Sequence, residues 1–133
     1  MEAISKAKFI RIAPRKSRLV VSLIRGMSVG TARRQLMVSD KLAATPVLKA
    51  LNSAVANAVN NLKMDESTLK VSKAYVDEGP KIKRSTPRAQ GRATPIRLRM
   101  SHITIAVSGP DEAVTVKKVP AKKPVVKAQT TTA

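Results

Sequence analysis

The sequence predicts one domain of mixed α and β elements with a long basic arm. Apolar residues recur at helical spacing through much of residues 14–62, whereas residues 2–12, 69–76 and 101–108 alternate with the period of a strand. From Gly79, after the second of these strands, to Pro110, past the third, there is no acidic residue, and between the two strands fall Lys81, Lys83, Arg84, Arg88, Arg92, Arg97 and Arg99. The length of 133 residues suits a single domain.

Residues 2–12 place Ile4, Lys6, Lys8, Ile10 and Ile12 on one face and Ala3, Ser5, Ala7 and Phe9 on the other, so neither face is cleanly apolar. Pro14 suits the first position of a helix, Leu19, Val20, Leu23 and Ile24 predict its apolar stripe, and Gly26 stands where a C-terminal cap belongs. Ser28 can cap a short second helix whose Val29, Ala32 and Leu36 share a face. The third helix is the strongest local signal. Val47, Leu48, Leu51, Ala54, Val55, Ala58, Val59 and Leu62 keep helical spacing, and the alanines among them allow close approach to a neighbour. Pro46 marks its start, or a kink after one turn begun near Ser39, and Asn60 and Asn61 are its expected stop. Leu69 to Val76 and Ser101 to Ser108 read as strands, with Ile103, Ile105 and Val107 on the face that helices bury.

Residues 77–100 carry little apolar content beyond Ile82, Ile96 and Leu98, and Pro87, Gly91 and Pro95 interrupt them. They form either a basic loop or a hairpin that prolongs the flanking strands. Structureless loops beyond about 12–15 residues are uncommon in compact domains, which favours the hairpin, with a reach of about 26 Å for arms of about eight residues. The domain is expected to span 1–109, with the arm at about 79–100. The tail, 110–133, mixes Val, Lys, Pro, Ala and Thr without period and is expected to be disordered and basic.

Composition excludes several classes of function. Without Cys there is no disulfide framework and no thiolate-ligated metal, and a single His supplies no His-based metal site, so no cofactor is expected. No apolar run approaches the roughly 18–20 residues of a membrane span, and no secretory leader is evident, so the expectation is a soluble intracellular chain without a membrane partner. The acids come mostly as adjacent pairs, Asp65–Glu66, Asp77–Glu78 and Asp111–Glu112, which diverge rather than converge on a substrate. His102 is the one conventional general base and lacks an evident nucleophile or acid beside it. An enzyme is not expected. A phosphate or sugar contact and a structural role both remain open for His102.

The net charge of +18 demands a polyanion. Arg outnumbers Lys on the arm, and its planar fork pairs with phosphate and stacks on bases, which favours nucleic acid over a membrane surface. A second cluster includes Arg11, Arg15, Lys16, Arg18 and Arg25. With Phe9 and Tyr75 the sole aromatics there is no stacking platform for single strands, so the expected target is folded RNA or duplex DNA bound by backbone and shape. A basic ribbon arm also suits an architectural DNA-binding protein.

Four segments carry a resemblance that separates these alternatives: Lys16-Ser17-Arg18-Leu19-Val20 followed by Leu23-Ile24-Arg25-Gly26; Leu51-Asn52-Ser53-Ala54-Val55-Ala56-Asn57-Ala58; Val76-Asp77-Glu78-Gly79-Pro80; and Lys83-Arg84 leading to Pro87-Arg88-Ala89-Gln90-Gly91-Arg92-Ala93 and Ser101-His102-Ile103-Thr104. From about Ala3 to Ser108 the chain resembles the bacterial form of large-subunit ribosomal protein family twenty-two. The resemblance implies an α+β fold, three helices packed on a three-stranded antiparallel sheet, with a long protruding β-hairpin. It also implies a cytoplasmic, non-enzymatic protein of the large ribosomal subunit that supports assembly and lines the nascent-peptide exit tunnel. Partners implied are large-subunit ribosomal RNA, neighbouring ribosomal proteins and the nascent peptide, with no homo-oligomer. By position, Arg88, Ala89, Gln90, Gly91 and Arg92 would form the tunnel-lining tip, with Ile82, Lys83 and Arg84 near the constriction. Many members carry Lys or Arg where this chain has Gln90. The expected RNA contacts are Arg11, Arg15, Lys16, Arg18 and Arg25 on the body, Lys81, Lys83, Arg84, Arg88, Arg92, Arg97 and Arg99 on the arm, and His102.

Overall fold

The computed structural model describes residues 1–109, so the tail expected to be disordered lies outside the described residues. Strand β1 spans Glu2–Ile10, followed by helices α1 (Pro14–Ile24), α2 (Val29–Val38) and α3 (Ala44–Leu62). A one-turn 3-10 helix, Glu66–Thr68, leads into β2 (Lys70–Pro87), which a second such turn, Ala89–Gly91, joins to β3 (Ala93–Ser108). The sheet is antiparallel in the order β1-β3-β2, and three helices with three strands make the expected α+β architecture.

The core lies between one sheet face and the helices. Ile103, Ile105 and Val107 of β3, flanked by Val71, Ala74 and Val76 of β2, are buried against α1 and α3. The α3 stripe Val47, Ala50, Leu51, Ala54, Val55 and Ala58 supplies the opposite wall. Small residues meet small residues where α3 crosses β1, because Ala3 and Ser5 are the buried side chains there. That close approach leaves Ile4 on the outer face, half exposed, although its hydrophobicity alone would put it inside.

The β2 edge of the sheet is covered within the body, and the β1 edge is met at one point. The turn between α1 and α2 pairs with the start of β2: the Gly26 N–H donates to the Val71 carbonyl at 3.0 Å, and the Val71 N–H donates to the Met27 carbonyl at 2.9 Å. Further along β2, Arg25 donates to the Ala74 carbonyl and Arg18 to that of Val76. On the other edge Asn57 of α3 donates to the Ile4 carbonyl at 3.1 Å. Such cover blocks pairing with a foreign strand. Beyond Val76 it ends, and the arm begins.

Several sequence-based expectations are corrected. The buried stripe of α1 is Ser17, Val20, Val21 and Ile24, while Leu19 is 70% and Leu23 51% exposed. β1 ends at Ile10 rather than residue 12, since Phe9 takes a left-handed φ of 57° and the register shifts between Ala7 and Ile10. α3 begins at Ala44 and includes no turn from Ser39; Pro46 falls in the first turn, where its missing N–H is no loss. It stops not at Asn60 or Asn61 but at Lys63, whose φ of 55° forms a left-handed cap with its N–H on the Ala58 carbonyl. α2 follows its prediction: Ser28 Oγ accepts from the Thr31 N–H, and Val29, Ala32 and Leu36 are buried.

Candidate nucleic-acid interface

The arm is a hairpin, as the punctuated basic segment suggested. β2 and β3 run past the body without a break in either strand, and pairing resumes after an irregularity between Glu78 and Lys81. Gly79 and Pro80 occupy that irregularity, where proline's lack of an N–H is tolerated. Gly79 also permits a close approach: a Cβ there would lie 3.1 Å from the Met100 carbonyl carbon. Residues 79–87 at about 3.3 Å each carry the arm about 30 Å outward. At the tip the Arg88 N–H donates to the Arg92 carbonyl at 2.7 Å, and Gln90 (φ 58°) and Gly91 (φ 68°) turn the chain through two left-handed positions.

The register separates the arm into two faces. Lys81 stands opposite Arg99 and Lys83 opposite Arg97, so one face carries two like-charged cross-strand pairs. Such pairs destabilise a ribbon unless an anion lies between or over them. On the other face Ile82 stands opposite Leu98, and Arg84 opposite Ile96. Leu98 is 50% exposed and Ile96 44%. The arm is therefore cationic on one side and aliphatic with one Arg on the other.

Few arm cations have a protein partner. Lys81 meets Glu78 at 3.6 Å, but among the described residues Lys83, Arg84, Arg88, Arg92, Arg97 and Arg99 make no side-chain hydrogen bond or ion pair. Arg11, Arg15 and Lys16 are likewise exposed and without one among the described residues. Arg18 and Arg25 differ. Arg25 donates to the Ala74 carbonyl from Nε at 3.2 Å and from Nη2 at 2.6 Å, and Arg18 Nε donates to the Val76 carbonyl at 3.2 Å. Their charge is spent partly on holding α1 against β2, leaving their outer N–H groups for a further acceptor.

His102 has a structural partner. Its Nδ1 accepts from the Phe9 N–H at 3.0 Å, which places the ring proton of the neutral form on Nε2, and the two rings meet edge to face at 4.9 Å. This interaction secures the distorted end of β1. Asp77 lies opposite His102, whereas Glu78 pairs with Lys81, so the adjacent acids diverge as expected of a strand.

At the root of the arm the two cationic clusters meet. A groove of about 500 Å³ is lined by Arg11, from the turn between β1 and α1, together with Arg84, Arg97 and Arg99 of the arm. Its remaining lining is aliphatic: Ala13, Ile82, Leu98 and Met100. Sequence reasoning treated these clusters as separate patches and did not identify the groove. The period-two placement of Ile82 and Leu98 was the available signal; the approach of Arg11 is tertiary and left none.

The geometry offers unpaired guanidinium groups along a slim ribbon and an aliphatic stripe on its other face. Among the described residues no three His, Asp or Glu side chains gather as metal ligands. A family model described as ribosomal protein L22p/L17e matches residues 5–108.

Proposed function

The chain belongs to the ribosomal protein L22p/L17e family, and is thus a structural protein of the large ribosomal subunit in the cytoplasm; on that premise we propose that it binds ribosomal RNA through its arm and the root of that arm. The observation that carries this reading is the set of six arm cations without a protein partner among the described residues, with Lys83, Arg97 and Arg99 in like-charged pairs across the ribbon. Phosphates lying along this face would relieve the repulsion and release condensed counterions. Arg11, Arg15 and Lys16 extend the interface onto the body, and the outer N–H groups of Arg18 and Arg25 add to it. His102 contributes through its position beside β1 and, from Nε2, as a donor to phosphate or sugar.

A ribbon about 30 Å long, with Ala89 and Gly91 at its end, is slim enough to thread between RNA helices and support their assembly. Within this reading Ile82, Lys83, Arg84, Arg88, Ala89, Gln90, Gly91 and Arg92 line the nascent-peptide tunnel, beside neighbouring ribosomal proteins. Gln90 presents an amide rather than a charge to the passing peptide. Quantitative mass spectrometry of salt-washed subunits tests the proposal. One copy per large subunit is expected after a moderate salt wash; sub-stoichiometric recovery, or recovery with DNA alone, would contradict it.

A further inference from the structure

The groove at the arm root differs chemically from the rest of the cationic surface. Every cation lining it is Arg, although the chain also carries many Lys. A phosphate needs only a cation, and the exposed face bearing Lys81 and Lys83 supplies that. Here Arg84 shares a face with the aliphatic wall of Ile82 and Leu98, and Arg11 joins the same groove from the body, whereas Arg97 and Arg99 line it from strand positions whose side chains belong to the face of Lys81 and Lys83. Leu98 stays half exposed in the isolated chain, so the wall lacks a covering partner within the body.

A volume of about 500 Å³ lies within the usual range for small-ligand sites. The matching ligand has an anionic part and a flat, weakly hydrated part. An extruded nucleotide has both, and guanidinium planes stack on bases where aromatic rings are absent. The aromatic residues do not serve here: neither Phe9, engaged by His102, nor Tyr75 lines the groove.

We propose that this groove receives one unpaired nucleotide of the ribosomal RNA, its base against Ile82 and Leu98 and its phosphate beside Arg11 and Arg84. The inference rests on the ribosomal reading above and adds base-level recognition to an interface otherwise made with backbone. It also gives Arg11 a role that no position on the arm could fill.

The test uses the full chain carrying a photoactivatable leucine analogue at position 98, assembled into large subunits, irradiated and mapped by reverse transcription. One dominant crosslink is expected, at a nucleotide that dimethyl sulfate or a 2′-hydroxyl reagent scores as unpaired in subunits lacking the chain. In subunits carrying Leu98→Asp, the base reactivity of that nucleotide should rise toward its level in subunits lacking the chain, because a carboxylate replaces the aliphatic contact and repels the phosphate. Crosslinks to paired nucleotides, to a neighbouring protein or to nothing would overturn the inference while leaving the ribosomal reading intact. Absence of the chain from the subunits, scored separately by mass spectrometry, would overturn both.

Discussion

At the end of α1, the Arg25 guanidinium donates twice to the Ala74 carbonyl, so its removal acts first on the fold. Arg25→Ala should lower stability to urea by about 1 kcal/mol, a modest figure because the side chain is exposed, while leaving most of the salt dependence of RNA binding in place. Ser17 presents the opposite case. Its hydroxyl is fully buried in the α1 face and has no hydrogen-bond partner among the described residues. Ser17→Ala removes that orphan and adds helix propensity, so the thermal midpoint should rise by a few degrees, about 1 kcal/mol in stability. At the tip, Gln90 sits at φ 58°, a conformation that a β-branched side chain resists. Gln90→Val should therefore loosen the turn, seen as faster amide exchange at Arg88 and Arg92, whereas Gln90→Gly should not.

Helix α2 was legible in full because its cap and its three inward residues are fixed by local spacing. Helix α1 was legible in extent but misread in rotation. Leu19 and Leu23 are as hydrophobic as their buried neighbours, and the burial of polar Ser17 hides the true stripe, which lies a fraction of a turn away. β1 was legible as a strand but not in which face turns inward: α3 approaches so closely that small Ala3 and Ser5 lie inside and Ile4 outside. The alanine spacing of α3 announced that closeness, but not which strand it would face. The same closeness makes an element-scale prediction. Ala58→Leu, placed where the side chain is completely buried, should cost about 1–3 kcal/mol by overpacking, measured by chemical denaturation.

For the whole molecule, the division between a packed body and a bare arm was visible in the charge pattern before any coordinates. The ribbon lies within the span without acids, which also includes the body half of β3, and its register is that of the body strands shifted by one residue at Gly79 and Pro80. What charge could not show was the approach of Arg11 to the arm root beside Arg84, or the diversion of Arg18 and Arg25 into holding the sheet edge. These depend on how α1 and the turn before it lie across the sheet. The buried core residues all belong to the body, so the arm adds reach and charge but contributes little to the core. Neutralising its unpaired cations should leave the body folded and change binding alone. The direct measurement is the slope of log affinity for large-subunit RNA against log salt, for the native chain and for a variant with Lys83, Arg84, Arg88, Arg92, Arg97 and Arg99 all replaced by Gln. The slope should become shallower by about four to five units, at about 0.7–0.9 for each phosphate that the variant no longer neutralises. An unchanged slope, with the variant folded, would contradict the assignment of the arm as the electrostatic interface.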